Sequence, residues 1–582
     1  MLNCWQERAA DSARVKALKA AGFPRLRARL LALRGIAPGD VEGFLHPQLK
    51  DMLPADSLPG VAEAADVILK ALYAGERIVV FGDYDCDGVS ATAILVRTLR
   101  ELRPEDPDRI RWFLPRRLTE GYGMTERSVG RMLAEIPDVK LVVTVDNGIN
   151  SIDEVRSLRE RGVDVIVTDH HLPTMRETAS GPEMVLPEAR AVVNPKVASP
   201  AELDGLCGAG VAIFLSCRIV NEARRRGLYA GKRIGHPMVV LAGLATVTDV
   251  TPLQRQNRIL VSGALALFDV AAPAGLRALL RSAKKTGAHN YRDFGFFIGP
   301  RINAAGRMAT AESALRLMLA PDEASAAEFV EAVEGYNLER KEVERRMTDE
   351  ARAQVVPGAS AQVIVLPEGH TGVAGIVAAR VLESLERAAP VCVIVGDHGS
   401  ARAPEGVNVR DALSAAAETL DRFGGHAAAG GFSVKRGRMD DFRRLFLAHC
   451  DALPPTTAPA QVFDAWMEPE EVTVEFVEFL RQLEPFGEGN PEPRFAMRGV
   501  VIAELRRLGP DGRHLSVTFA SPHDSRRRLR GVWWGRGEFS ETLRGDMREL
   551  HDVLFTLTLS EYGERHVELR IGDVRLSAAA DW

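Results

Sequence analysis

Cysteine is scarce and unpatterned: Cys4, Cys86, Cys207, Cys217, Cys392 and Cys450 are the only six in 582 residues, and no C-x-x-C pair occurs. That spacing excludes a disulfide framework and a zinc ribbon, and it fits a reducing, cytoplasmic setting. No stretch approaches the roughly 18 uninterrupted apolar residues of a membrane span. The opening residues, MLNCWQERAADSARVKALKAAG, hold no apolar core behind a basic start. A chain that is neither secreted nor membrane-spanning is expected. The G-x-x-x-x-G-K-[ST] segment of a P-loop motor is missing. So is any large excess of one charge: 74 Lys and Arg stand against 79 Asp and Glu, a net charge of −5. A histone-like cationic binder is excluded, and any contact with nucleic acid must rest on a local basic groove.

What is present is ordinary globular composition, 46% hydrophobic and 26% charged, in a length that predicts three or four domains of roughly 150 residues each. Residues 61–76 read as a helix, Arg77 to Phe81 (RIVVF) as a buried strand, and Val89 to Leu102 as the next helix. The same grammar recurs at Lys140 to Val145 before Asp146-Asn147-Gly148, and at Val163 to Thr168 before Asp169-His170-His171. Continuous apolar runs alternating with helices predict a parallel sheet covered on both faces. Loops at the carboxyl ends of such strands face one crevice, where ligands bind. Three acidic or His-bearing loops are therefore expected at one place.

From Asp322 to Val356 there is no proline and one glycine, and Phe329, Val333, Tyr336, Val343 and Met347 fall on one helical stripe. A second α/β unit starts at Gln362 to Leu366 and continues through Val391 to Val395. The predicted partition is an N-terminal helical segment (1–60), a first α/β lobe (61–320), a linking helix (321–356), a second lobe (357–452) and a C-terminal domain (461–582). The last boundary is the Pro- and Ala-rich LPPTTAPA at 453–460. About five β-like segments between Phe495 and Leu576 fit a small barrel of the OB type.

Asp83, Asp85 and Asp87 alternate at a strand end and crowd carboxylates together. Unneutralised, such crowding costs free energy, and a divalent cation relieves it. An Asp-rich turn explains one or two such residues more easily than three followed by Gly88. Asp146 ends a second strand and His170 a third. Oxygen-rich ligation with imidazole and without thiolate points to Mn2+ or Mg2+ rather than structural Zn2+. A His pair alone is more often a surface or core accident than a ligand.

The set DYDCDG (83–88), TVDNG (144–148), TDHH (168–171), TVTDVTPL (246–253) and GPRINAAGR (299–307), in this order, resembles the DHH phosphoesterase superfamily. GPRINAAGR together with LEPFGEGNPEPRF (483–495) resembles its bacterial single-strand-specific exonuclease branch, and the resemblance covers nearly the whole chain. It implies an α/β protein in which a DHH lobe with a parallel sheet and a DHH-associated lobe are joined by a long helix, followed by an OB-like β-barrel. It also implies two metal ions, with Asp85, Asp87, Asp146, His170 and Asp249 as ligands, Asp83 as an additional ligand, and His171 as the non-ligating catalytic histidine. Many shorter members carry a His four positions before Asp85, where this chain has Phe81, so the ligand set at one metal is open there and Asp83 is the candidate substitute.

Arg301 and Asn303 match a family motif near the scissile phosphate, with Arg307 on the same phosphates; without that match, a Gly-Pro turn with a surface Arg is the plainer reading. Gly424, Gly425 and His426 in GGHAAAGG, with Arg402, are the implied contacts to the substrate backbone, although a Gly-Ala run alone more often reflects tight helix packing. In the barrel, Arg526 to Arg530 adjoin Trp533 and Trp534, and Arg528 and Trp533 are expected on DNA, although Trp in alternating strands is more often core. The implied activity is 5′→3′ release of 5′-mononucleotides from single-stranded DNA in repair and recombination. A single-strand-binding protein and a RecQ-type helicase are the implied partners, and no membrane is involved. Two alternatives remain open: a phosphoesterase acting on short oligonucleotides or nucleotides, and a non-catalytic DNA-binding scaffold.

Overall fold

A computed structural model describes residues 4–178, 181–231, 235–285, 289–385, 387–454, 460–522, 526–560 and 565–577. The Pro- and Ala-rich stretch at 453–460 falls largely outside them. The chain divides into two compact units, Leu49–Ala458 and Met1–Gln48 with Pro459–Trp582.

In the larger unit the first sheet has the order Ile110–Phe113, Arg77–Phe81, Val139–Val145, Asp164–Thr168, Ala191–Val193, and every neighbouring pair is parallel. Alternation along Arg77–Phe81 shows why the sheet is covered twice. Ile78 and Val80 enter one core with the helices Val61–Tyr73, Cys86–Leu102 and Gly208–Arg225, while Val79 and Phe81 enter another with Val129, Met132, Val155 and Leu158. Burying each of these side chains contributes about 2 kcal/mol. The chain leaves Arg77–Phe81 for a neighbour on one side and returns on the other, so the order reverses between Arg77–Phe81 and Val139–Val145. That reversal opens a crevice at the carboxyl ends of these two strands.

The helix after the first strand starts at Cys86 rather than Val89, because Asp85 caps it: its Oδ1 accepts the Asp87 and Gly88 N–H groups at 3.0 Å each. GPRINAAGR is not a turn but the helix Gly299–Met308, with Pro300 in its first turn, where a missing N–H costs nothing. The long helix runs Glu323–Ala353 and is capped by Asp322. Phe329, Val333 and Tyr336 pack on the first lobe's core, Val343 and Met347 on the second's, so one apolar stripe ties the two lobes together.

The second lobe's sheet has the order Leu420–Gly425, Ala429–Val434, His398–Arg402, Val391–Val395, Gln362–Leu366, parallel only in its last pair. GGHAAAGG is a hairpin rather than helix packing: Gly424 and Gly425 pair with Gly431 and Gly430, and the His426 N–H donates to Ala429 O at 2.8 Å. Gly425 has φ 132°, and a Cβ there would sit 2.3 Å from Ala429 O, so only glycine fits.

In the smaller unit, Phe495–Leu508, His514–Ala520, Arg528–Trp533, Val567–Leu576 and His551–Leu559 pair in that order, and the last pairs back onto the first. Closure removes the open edges of the sheet. Trp5–Glu7 pairs in parallel with Gln461–Phe463, which makes the N-terminal helices part of this unit. Among the described residues, no single helix is long and apolar enough to cross a membrane.

Candidate functional site

The crevice gathers the acidic loops. Ligand-capable atoms of Asp83, Asp85 and Asp146 lie within 4.8 Å of one another, as do those of Asp87, His170 and Asp249, and those of Asp146, His170 and His171. Asp87 is held by the start of the helix Gly208–Arg225: Oδ2 accepts the Gly208 N–H at 2.6 Å and Oδ1 the Ala209 N–H at 2.8 Å. Helix N-termini carry partial positive charge, which favours a carboxylate there. Gly208 lies between two of the carboxylates, since a Cβ on it would sit 2.5 Å from Asp146 Cβ.

Asp146 itself is left-handed, φ 63°. That conformation costs roughly 1 kcal/mol or more for a residue with a Cβ, and it persists where surrounding bonds enforce it. Here the Tyr122 hydroxyl donates to Asp146 O at 3.1 Å, and Asn147 Nδ2 donates to Phe81 O at 3.2 Å and Val145 O at 2.9 Å, sewing two strand ends together. Asp249 follows the C-terminus of the helix His236–Thr248, and the next residue, Val250, is again left-handed at φ 56°.

Asp169 has a different task from the other carboxylates. It accepts from Ile149 N–H at 3.0 Å, His170 N–H at 2.7 Å, His171 N–H at 3.1 Å and His171 Nδ1 at 2.7 Å. Burial alone would lower the His171 pKa, but the bond to Asp169 and its charge outweigh burial and raise it to about 9. The Tyr122 hydroxyl sits 3.1 and 3.2 Å from the two His171 ring nitrogens. His170 moves the other way: burial lowers its pKa despite Asp87, which leaves a neutral imidazole able to ligate. Burial first, and neighbouring carboxylates second, push Asp83, Asp146 and Asp249 above the ordinary carboxylate range.

These residues fit a divalent cation. Asp83 Oδ1 and Asp146 Oδ1 are buried without a hydrogen-bond partner, although His170 Nε2 lies 3.1 Å from the latter without the alignment of a hydrogen bond. A buried polar atom left this way costs about 1–3 kcal/mol. Burial pushes the Cys86 thiol up to about 12 and raises Cys207 as well, so both stay protonated and the donor set is carboxylate and imidazole. That set suits Mn2+ or Mg2+. Phe81 offers nothing to it, being fully buried with its ring 5.1 Å from Phe113, whereas Asp83 has a ligand-capable oxygen in the same cluster as Asp85 and Asp146.

GPRINAAGR buttresses the acidic loop. Asn303 Oδ1 accepts the Cys86 N–H at 2.7 Å, and a Cβ on Gly306 would sit 2.4 Å from Tyr84 O. Arg301 is anchored within the lobe: its Nε bonds Glu334 of the long helix at 2.8 Å and its Nη1 bonds Phe297 O at 2.8 Å. Arg307 is half-buried, donates to Gly372 O at 3.1 Å, and has its pKa pushed down to about 10 by desolvation and by Arg117. Arg402 is lowered likewise by burial and Arg117, and Gly375 leaves room for its guanidinium. Arg117 thus lies near enough to act on both Arg307 and Arg402, and guanidiniums gathered this way suit an anion.

His426 lines a cavity of about 540 Å³ with Leu172 and Asn150, beside the His171 loop, while Gly424 is exposed on its hairpin. In the smaller unit Arg528 is exposed and pairs with Glu504 at 2.8 Å. Trp533 corrects the expectation: it is 5% exposed and stacked on Phe539, whereas Trp534 is 62% exposed. Sequence reasoning brought Asp169 to the site without giving it a role, and it missed Tyr122, Arg117 and Gly208, which carry no local signal.

The chain matches the family models of the DHH family, N-terminal domain, over residues 77–236, the DHHA1 domain over 358–450 and the RecJ OB domain over 463–573. It is 38% identical over 490 residues to the single-stranded-DNA-specific exonuclease RecJ of Thermus thermophilus, covering 83% of this chain and 67% of that one. To the protein of the same name from Bacillus subtilis it is 30% identical over 592 residues, covering 99% and 71%. The crystal structure of RecJ in complex with Mn2+ from Thermus thermophilus superposes with a TM-score of 0.82 at 31% identity, covering 99% of this chain and 80% of that one. The chain therefore belongs to the RecJ family of single-stranded-DNA-specific exonucleases.

Proposed function

We propose that the protein is a metal-dependent exonuclease that releases 5′-mononucleotides from single-stranded DNA in the 5′→3′ direction, in repair and recombination. The observation that carries this reading is the convergence of Asp83, Asp85, Asp87, Asp146, His170 and Asp249 at the switch point of a parallel sheet. These six residues would hold two ions, Mn2+ or Mg2+, with Asp83 standing in for the donor missing at Phe81. Bound cations of this kind supply charge neutralisation on the phosphoryl oxygens and a water-derived nucleophile at neutral pH.

The chain's own side chains do the remaining work. His171, kept charged by Asp169, offers its Nε2 proton to the departing 3′ oxygen of the released nucleotide while Nδ1 stays on Asp169. Arg307, Arg402 and Arg117 pair with non-reacting phosphate oxygens. Asn303 acts on the Cys86 backbone and Arg301 on the long helix, so both are positioning residues. Gly424, Gly425 and His426 border the strand's path. In the barrel, exposed Arg528 and Trp534 offer a cation and a ring to unpaired nucleotides. The cytoplasm is the proposed setting, supported by six free cysteines. A single-strand-binding protein and a RecQ-type helicase are proposed partners, since they hold and expose the substrate this site suits.

The test compares 5′-labelled and 3′-labelled single strands and a blunt duplex in Mn2+ and in EDTA. Labelled mononucleotide should appear first from the 5′ label, only with metal and only from single strands. First release from the 3′ label, or equal cutting of duplex, overturns the reading.

A further inference from the structure

Next to the metal centre stands a hairpin with no buried face. Its strands Thr174–Thr178 and Gly181–Val185 set Met175 directly opposite Met184, and no residue of either strand is buried. Met175 is 50% exposed, Met184 45%, and Leu172, just before the hairpin, 62%. Exposed apolar side chains are ordinary when scattered; these three line one cavity of about 540 Å³ together with Arg410 and His426.

The root of the hairpin is fixed to the catalytic loops. The Thr174 N–H and hydroxyl both donate to Asn150 Oδ1 at 2.8 Å, and Asn150 Nδ2 donates to Leu172 O at 3.1 Å. Asn150 lies in the loop that carries Asp146, and Leu172 follows His171, so the cavity borders two of the loops that bring the carboxylate cluster together. Lys196 on the same wall is paired with Asp204 at 3.1 Å, whereas exposed Arg410 enters no ion pair among the described residues.

We propose that this cavity is a nucleobase subsite: the base of a nucleotide adjacent to the scissile bond lies against the Met175 and Met184 thioethers, with its phosphate toward Arg410. The inference rests on the single-strand reading of the site. Thioethers are polarisable and make favourable contacts with aromatic edges and faces, and an unbranched side chain adapts to any base. Apolar wall and cationic rim repeat the alternation of base and phosphate along a single strand. A duplex, with its bases paired inside, has no base to insert, so the subsite would also favour single strands.

The test uses the full-length protein with Mn2+ and single strands carrying one abasic position at a time near the 5′ end. In the unaltered protein one abasic position should raise KM by about tenfold. The Met175→Ala/Met184→Ala double variant should raise KM on intact strands by about the same factor and become indifferent to that abasic position, because base and thioethers remove the same contact. Met175→Trp, which supplies a ring, should lower KM. An abasic penalty that persists undiminished in the double variant overturns the subsite while leaving exonuclease activity intact. So does a change of oligomeric state in the double variant, which would assign the patch to a second copy. Absence of hydrolysis by the unaltered protein overturns the exonuclease reading instead.

Discussion

Replacing Gly208 with alanine adds one methyl group between two of the clustered carboxylates. Its Cβ would lie 2.5 Å from Asp146 Cβ and 2.8 Å from Asp146 Oδ1, against about 3.5–4.0 Å for relaxed contact. Either Asp146 retreats by roughly 1 Å, or the helix start shifts and weakens the 2.6 Å bond from the Gly208 N–H to Asp87. Overpacking costs about 1–3 kcal/mol and alanine in a helix recovers about 1 kcal/mol over glycine, so the net loss of stability is about 0–2 kcal/mol. Ligand placement has no such compensation. Disturbing the contacts that orient metal-binding side chains typically lowers metal affinity about 10–100-fold. Calorimetric titration with Mn2+ should therefore show at least about a tenfold loss in Gly208→Ala, with a small change in thermal midpoint in EDTA. Gly210→Ala is the control, because the three atoms nearest its Cβ all belong to the Leu206 side chain, at 3.1 Å and upward. Wild-type Mn2+ affinity in Gly208→Ala, or equal losses in both variants, would refute the reasoning.

Asp169→Asn should leave the loop's backbone bonds largely in place but remove the charge that keeps His171 protonated, lowering kcat by about 100-fold or more in single-turnover assays; an unchanged rate excludes the proton-donor role. In EDTA the thermal midpoint should fall as pH rises from about 4 upward, where unfolded carboxylates ionise. Asp83, Asp146 and Asp249 have folded pKa values above the unfolded ones, so their contribution is full at low pH and lost as pH climbs through the folded values; Mn2+ should remove the slope. Arg301→Ala should lower the thermal midpoint through loss of Glu334 while moving KM for single strands less than about threefold; a large KM change would return Arg301 to the phosphate. Trp533→Ala should destabilise the barrel by about 3–5 kcal/mol, and Trp534→Ala should instead weaken binding of a single-stranded oligonucleotide at unchanged stability, both read by denaturation and by fluorescence anisotropy.

Strands buried on both faces are legible because they are apolar without interruption, which is why Arg77–Phe81 and the loops at Asp146 and Asp169 are evident from pattern alone. The switch point follows once those strands are parallel, and with it the convergence of the carboxylates. Contacts between distant segments have no such periodic trace. Nothing in WQE at Trp5–Glu7 foretells its pairing with Gln461–Phe463, and nothing near Glu334 marks it as the partner of Arg301. Trp533 ends the strand Arg528–Trp533 and Trp534 begins the turn after it, and which of the two adjacent rings is core depends on barrel closure. The hairpin at Thr174–Thr178 and Gly181–Val185 leaves no trace because it lacks the buried face on which strand recognition depends.

The most direct measurement of the central claim, metal-dependent hydrolysis at the strand-end carboxylates, is single-turnover cleavage of a 5′-labelled single strand in Mn2+ by Asp146→Asn beside the unaltered protein. Asparagine keeps the shape and tolerates the left-handed conformation at φ 63°, so only charge and ligand strength change. The expected result is a rate loss of about a thousandfold or more, the scale of several kcal/mol of transition-state charge stabilisation, with an unaltered circular dichroism spectrum. Cleavage at the unaltered protein's rate, with the same requirement for Mn2+, would contradict the claim.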